Sequence, residues 1–124
     1  MKKKIAIVED NPDNMLLVEV LLEELYELLE YENGLDALEG MQTDQPDLIL
    51  LDISLPGMDG IEVLKNIRED KLLQHLPVIA ITAHAMVGDR QKYLAMGFDG
   101  YVTKPIVDEQ LLYQAINEHL FPDD

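Results

Sequence analysis

Four short apolar runs in this chain each stop at a charged or hydroxyl-bearing residue, and this limits the fold more than any other feature. Lys4-Ile5-Ala6-Ile7-Val8 runs into Glu9-Asp10, and Leu48-Ile49-Leu50-Leu51 runs into Asp52. Val78-Ile79-Ala80-Ile81 runs into Thr82, and Gly100-Tyr101-Val102-Thr103 runs into Lys104-Pro105. Runs this short and this rich in β-branched residues, separated by helix-length segments, read as buried parallel strands. In an open parallel sheet all strand C-termini face one edge, and ligands bind there. The expectation is that Glu9, Asp10, Asp52, Thr82 and Lys104 converge on one small site. Like charges about 4 Å apart repel by roughly 1 kcal/mol in water and more at lower dielectric. Such a carboxylate cluster therefore needs a cation, and a hard divalent ion suits oxygen ligands.

The segments between the runs fill in the pattern. A first helix is expected from about Asp13 to Glu24, with Pro12 in its first turn and an inward stripe of Leu17, Val18, Leu21, Leu22 and Leu25. Tyr26 to Tyr31 reads as a weaker second strand, its period blurred by glutamates. Asn33-Gly34 marks a turn before a short helix over Leu35 to Met41. The third strand, Leu48 to Leu51, leads into a loop rich in Pro and Gly, Ile53 to Gly60, and a helix from about Ile61 to Asp70. Pro77 opens the fourth strand. A fourth helix from about Val87 to Met96 ends at Gly97, a natural C-terminal residue. The fifth strand covers about Asp99 to Thr103, and a last helix Asp108 to Leu120, with Asp108 as N-cap. Five strands alternating with five helices predict an α/β doubly wound, five-stranded parallel sheet with right-handed crossovers and strand order 2-1-3-4-5.

Bulk properties bound the function. A chain of 124 residues is expected to form one domain over residues 1–124, and 48% hydrophobic residues suffice for a core. Nine Lys and Arg against 25 Asp and Glu give a formal net charge of −16. That charge argues against direct nucleic-acid binding and against anionic membranes. It favours solubility and basic partners, or, as the plainer reading, simply a solvated surface. With no cysteine, disulfides and thiolate metal sites are excluded, which fits a reducing, cytoplasmic setting. Lys2-Lys3-Lys4 precedes an apolar run too short for a signal peptide, and no stretch reaches membrane-spanning length.

Five motifs, in order at the strand ends, resemble the response regulator receiver domain of two-component and phosphorelay signalling. They are Val8-Glu9-Asp10-Asn11, Leu51-Asp52-Ile53, Leu55-Pro56-Gly57-Met58-Asp59-Gly60, Ile81-Thr82-Ala83-His84-Ala85 and Gly100-Tyr101-Val102-Thr103-Lys104-Pro105. The resemblance covers the whole chain and is similar in wording to single-domain receivers and receivers of hybrid histidine kinases. It implies that Asp52 is the phosphoacceptor for a partner phosphohistidine on a histidine kinase or histidine phosphotransfer protein. It implies Mg²⁺ as cofactor, held by Asp10, Asp52 and the Ser54 carbonyl, with Glu9 acting through a metal-bound water. Lys104 would pair with a phosphoryl oxygen, and Thr82 would bond another once Asp52 is modified. Thr82 and Tyr101 would then be the switch, altering the face of fourth helix, fifth strand and fifth helix toward a downstream protein target. The chain would be a signalling phosphoacceptor, promoting its own phosphorylation and dephosphorylation, and not an enzyme in the ordinary sense. The family usually has the Lys104-Pro105 bond cis, and it commonly tunes self-dephosphorylation at the positions of Ser54 and His84. Glu9 stands where Asp is common, which touches only the outer metal geometry.

Each of these residues also has a plainer use. Glu9-Asp10 could merely favour the first helix dipole, Lys104 could be a surface lysine, Thr82 a β-former, Tyr101 a packing residue and His84 an exposed loop residue. His75 and His119 read as surface residues. Met15, Leu16 and Val20 fall largely off the expected core stripe, and the resemblance places docking of a phosphohistidine-bearing helix there; a wider amphipathic stripe is the alternative. Homodimerisation through the fourth-helix to fifth-helix face stays open, as does whether the receiver stands alone or belongs to a larger protein. A haloacid-dehalogenase-type phosphatase would need an acid two residues after Asp52, where Ser54 stands. A flavodoxin would need a phosphate-cradling loop where Glu9-Asp10-Asn11-Pro12 repels phosphate. A purely structural interaction domain would not need the cluster.

Overall fold

In a computed structural model describing residues 2–83, 89–104 and 109–120, the chain alternates strand and helix five times. The elements are β1 (Lys4–Val8), α1 (Pro12–Leu22), β2 (Glu27–Tyr31), α2 (Gly34–Thr43), β3 (Leu48–Asp52), α3 (Gly60–Glu69), β4 (Val78–Thr82), α4 (Asp89–Met96), β5 (Gly100–Thr103) and α5 (Glu109–Leu120). The sheet is parallel throughout, in the order β2-β1-β3-β4-β5. This is the predicted order. His84, Pro105 with its peptide bond to Lys104, Asp108 and the start expected for the fourth helix lie outside the described residues.

Alternation along the strands divides the core in two. Ala6, Val8, Ile49, Leu51, Val78 and Ala80 point to the side covered by α2, α3 and α4. Ile5, Ile7, Leu48, Leu50, Ile79, Ile81 and Val102 point to the side covered by α1 and α5. All five residues of β3 and of β4 are buried, as unbroken apolar runs require in the middle of a two-sided sheet. The second strand is ambiguous in sequence because it is the sheet edge: Glu27 and Glu30 face solvent while Leu28 and Leu29 are half-buried.

The helix starts are set by side-chain caps. The Asn11 carboxamide oxygen accepts from the N–H groups of Asp13 and Asn14 at 2.9 and 3.1 Å, with Pro12 in the first turn. Asn33 accepts from Asp36 N–H at 2.8 Å, and Asp59 from Glu62 N–H at 2.9 Å.

The inward face of α1 differs from the expected stripe. Met15, Val18 and Leu22 are buried, whereas Leu17 and Leu25 are exposed. Met15, expected off the core, belongs to it at 9% exposure, while Leu16 and Val20 stay open at 56% and 60%. The reason is that Glu19 is the one polar residue between Met15 and Leu22, so periodicity cannot select a face. The Asn11 cap fixes where the helix begins, and burial falls on positions i, i+3 and i+7 from Met15.

Arg68, at the end of α3, ties the far side of the fold together. Its Nε and Nη2 donate to the Gly97 carbonyl at 3.1 and 2.7 Å, and its Nη1 donates to the Gln74 and Leu76 carbonyls at 3.0 and 2.7 Å. Nη2 also donates to Asp99 at 2.9 Å, and Asp99 accepts from Val78 N–H at 2.8 Å. The planar fork of five donors suits this use, which a lysine cannot reproduce.

The loop after β3 is closed by a main-chain approach at Gly60. A Cβ there would sit 2.6 Å from Ile53 Cα and closer still to the Asp52 carbonyl oxygen. Gly57, at φ 73°, takes the left-handed turn within the same loop. Gly60→Ala is therefore expected to lower stability by about 1–3 kcal/mol through overpacking, read as a reduced urea midpoint, whereas an exposed surface change such as Glu62→Ala in the same helix leaves it within about 0.5 kcal/mol.

Candidate functional site

Parallel pairing brings the strand ends to one edge: Val8 pairs with Leu51 and Asp52 with Ile81, so the residues that follow Val8, Leu51 and Ile81 sit side by side. Glu9 and Asp52 are both buried, at 2% exposure, while Asp10 is exposed. One carboxylate oxygen from each of Glu9, Asp10 and Asp52 lies within 4.8 Å of the others. Lys104 closes the cluster from the end of β5, its Nζ 2.7 Å from Glu9 Oε1 and donating to Asp52 Oδ2 at 2.9 Å. The other Asp52 oxygen accepts from Ser54 N–H at 3.0 Å. The convergence expected for Glu9, Asp10, Asp52 and Lys104 is thus present in the geometry.

The electrostatics of the cluster are unequal. Burial, then the hydrogen bond with Asp52, push Glu9 up to about 7 against the pull of Lys104. Burial also acts to raise Asp52, but hydrogen bonds with Glu9, Lys104 and Ser54 N–H outweigh it and hold Asp52 below the usual carboxylate range. Burial acts to lower Lys104, and its bonds to Glu9 and Asp52 reverse this, leaving it raised. The Lys104 ammonium thus faces two buried carboxyl groups, and the leftover demand appears at one atom: among the described residues Glu9 Oε2 is buried without a hydrogen-bond partner. An orphaned buried carboxylate oxygen beside two further carboxylates fits a divalent cation with its waters.

Thr82 is placed differently from its neighbours. In parallel register Asp52 stands opposite Ile81, on the α1/α5 side, so alternation sends Thr82 to the α4 side with Ala80. There its hydroxyl shares a hydrogen bond of 3.2 Å with the hydroxyl of Tyr93 from α4. Tyr93 is buried, stands edge-on to Phe98 at 6.1 Å and lies 5.7 Å from the ring of Tyr101. Tyr101 is half-buried against the same cluster. Sequence reasoning missed Tyr93: its segment, Asp89 to Met96, is mostly polar, and its partner stands eleven residues earlier on another element. Ser54 is exposed, as is His75, and His119 is half-buried.

Beside the carboxylates a groove of about 530 Å³ runs between the start of α1 and the end of β2. Glu9, Asp10, Pro12, Met15, Leu16, Glu19, Glu30 and Glu32 line it. Met15 lends it only a sliver of surface, and Leu16 is its exposed apolar wall. Among the described residues no helix is long and apolar enough to cross a membrane.

Similarity to known proteins agrees with this geometry. Residues 5–117 match the family model of the response regulator receiver domain. The chain is 47% identical over 107 residues to the polar-differentiation response regulator DivK of Brucella anthropi, covering 86% of this chain and 87% of that protein. It is 41% identical over 112 residues to the sensor histidine kinase GacS of Pseudomonas protegens, covering 87% of this chain but 12% of that longer protein. Among solved structures, the receiver domain of sensor histidine kinase PA1611 from Pseudomonas aeruginosa superposes with a TM-score of 0.87 at 31% identity, over 98% of this chain and 99% of that one. That structure has a magnesium ion coordinated in its active-site cleft. The Vibrio cholerae chemotaxis protein CheY4 superposes with a TM-score of 0.88 at 25% identity, over 97% of this chain and all of that one.

The raised Glu9 gives a pH dependence with a definite sign. Between 4.5 and about 7 the folded protein binds a proton that the unfolded chain has released, so stability falls as pH rises through that window. In metal-free protein, Glu9→Gln is expected to remove this decline, so that the stability difference between variant and parent grows from pH 4.5 to pH 7. Urea titrations at both pH values in the presence of a chelator measure it.

Proposed function

The chain belongs to the response regulator receiver domain family, and we propose that it works as a phosphoacceptor whose acceptor is Asp52. The observation that carries this is the buried Asp52 carboxylate held between the Lys104 ammonium and the Glu9 and Asp10 carboxylates. Receiver domains are signalling phosphoacceptors that partner with histidine kinases or phosphotransfer proteins. In the proposed step an Asp52 oxygen attacks the phosphorus of a partner phosphohistidine. The O–P bond forms, the P–N bond breaks, and its electron pair stays on the imidazole nitrogen. An ionised carboxylate is needed for this, and the bonds that hold Asp52 below its usual range keep it ionised.

Asp10, Asp52 and the Ser54 carbonyl would hold Mg²⁺ directly, and Glu9 would reach it through water. When bound, the ion neutralises carboxylate charge and the charge of a transferring phosphoryl group. The chain's own residues do the rest. Lys104, 2.9 Å from Asp52 Oδ2, supplies a compact positive charge to a phosphoryl oxygen. Ser54 N–H fixes the orientation of the carboxylate through Oδ1. Thr82 turns its hydroxyl to the modified Asp52, and Tyr101 repacks behind it. That shifts an equilibrium between two arrangements of the α4–β5–α5 face, read by a downstream protein. Hydrolysis of the acyl phosphate by the same residues ends the signal, with Ser54 and His84 at positions that set its rate.

The groove along α1 is the proposed seat of the phosphodonor helix, with Leu16 as apolar contact and Met15 at its floor. The groove is lined by Glu9 and Asp10, two of the three clustered carboxylates, which would bring a donor helix seated there close to the cluster. A cytoplasmic setting accords with this partnership.

The expected outcome with acetyl phosphate and Mg²⁺ is a single phosphoryl adduct in the intact mass, labile at alkaline pH. It disappears in Asp52→Asn and with chelator. Full labelling of Asp52→Asn would place the acceptor elsewhere.

A further inference from the structure

We propose that Tyr93 is a positioning residue that latches the switch hydroxyl of Thr82 away from Asp52, so that phosphorylation must break the Thr82–Tyr93 hydrogen bond. The inference rests on the receiver reading above and adds a residue that sets the resting position of its switch.

Three observations carry it. First, strand alternation puts Thr82 on the α4 side of the sheet, whereas Ile81, directly opposite Asp52, faces α1 and α5. A Thr82 hydroxyl that serves a phosphoryl group on Asp52 must leave the position it now holds. Second, that position is occupied by a bond between two buried groups: Thr82 Oγ1 and Tyr93 OH are 3.2 Å apart, and the residues are 3% and 5% exposed. A buried hydroxyl that loses a partner opposes the change. Third, Tyr93 is poorly placed to follow Thr82. Its carbonyl accepts from Phe98 N–H at 3.1 Å, and its ring is wedged between those of Phe98 and Tyr101. The turn just beyond it is pinned by Arg68, which donates twice to the Gly97 carbonyl.

Latching in this way couples the site to α4 by subtraction. When Thr82 turns toward the phosphoryl group, the Tyr93 hydroxyl loses this bond inside the cluster that Tyr101 packs against. The change is delivered to the face formed by α4 and β5 without any movement of the carboxylate cluster. Phenylalanine in place of Tyr93 would keep the ring contacts and remove the hydroxyl that makes the latch.

The test uses beryllofluoride, a phosphoryl mimic, with Mg²⁺ and the whole chain. The affinity for beryllofluoride at saturating Mg²⁺ is measured for the parent, Tyr93→Phe, Thr82→Ala and the double variant. Removing one hydrogen bond from the resting state is expected to raise the affinity of Tyr93→Phe about two- to tenfold. In the Thr82→Ala background, Tyr93→Phe should have no effect, because no hydroxyl remains to be latched. Affinity for Mg²⁺ alone should be the same in the parent and Tyr93→Phe. A general loosening of α4 would instead give the same gain with and without Thr82, and that result overturns the latch. An unchanged or weakened affinity in Tyr93→Phe also overturns it, while the receiver reading stands because the parent binds. If the parent itself does not bind beryllofluoride with Mg²⁺, the receiver reading fails and the latch falls with it.

Discussion

One ammonium group facing two buried carboxylates sets the terms for the rest of the molecule. Lys104 touches both Glu9 and Asp52, and charges taken out of water at this density need full compensation. A single lysine does not provide it: among the described residues Glu9 Oε2 is left without a partner, and Glu9 is pushed up to about 7. The carboxylates come from two strand ends, Glu9 and Asp10 after β1 and Asp52 at the end of β3, and could together hold a cation. Asp52 closes a strand that is buried along its whole length.

The two-sided sheet gives that cluster its second property. Residues that share a strand edge are sorted to opposite faces by a period of two. Ile81 faces the α1/α5 side with the acid cluster's strand partners, and Thr82 faces α4. A charge change at Asp52 can therefore be answered by a side chain whose resting contacts belong to the other layer. Arg68 holds the far end of that layer through main-chain carbonyls at Gln74, Leu76 and Gly97, so the turn after α4 is tied down beside the Tyr93 cluster.

Much of this was legible in the sequence, for a physical reason. Leu48 to Leu51 and Val78 to Ile81 are unbroken apolar runs, and only central strands of a covered parallel sheet tolerate them. Given the parallel sheet, Glu9, Asp10, Asp52 and Lys104 had to meet at one edge. The inward face of α1 was not legible, because a helix that is apolar on nearly every side carries no phase. Met15 was consequently placed outside the core that it helps to fill. Glu27-Leu28-Leu29-Glu30-Tyr31 was ambiguous because an edge strand is only half covered. Arg68 left no signature, since most of its partners are carbonyls that every residue has. Tyr93 left none either: its bond to Thr82 spans two elements and depends on the packing of α4.

The central claim is that Glu9, Asp10 and Asp52 form one divalent-cation site balanced by Lys104. Calorimetric titration of chelator-treated protein with Mg²⁺ tests it most directly. The account predicts one ion per chain, with binding weakened at least tenfold by Asp10→Asn, whose exposed carboxylate can be replaced without disturbing the buried pair. No binding by the parent protein, or equal binding by Asp10→Asn, would contradict it.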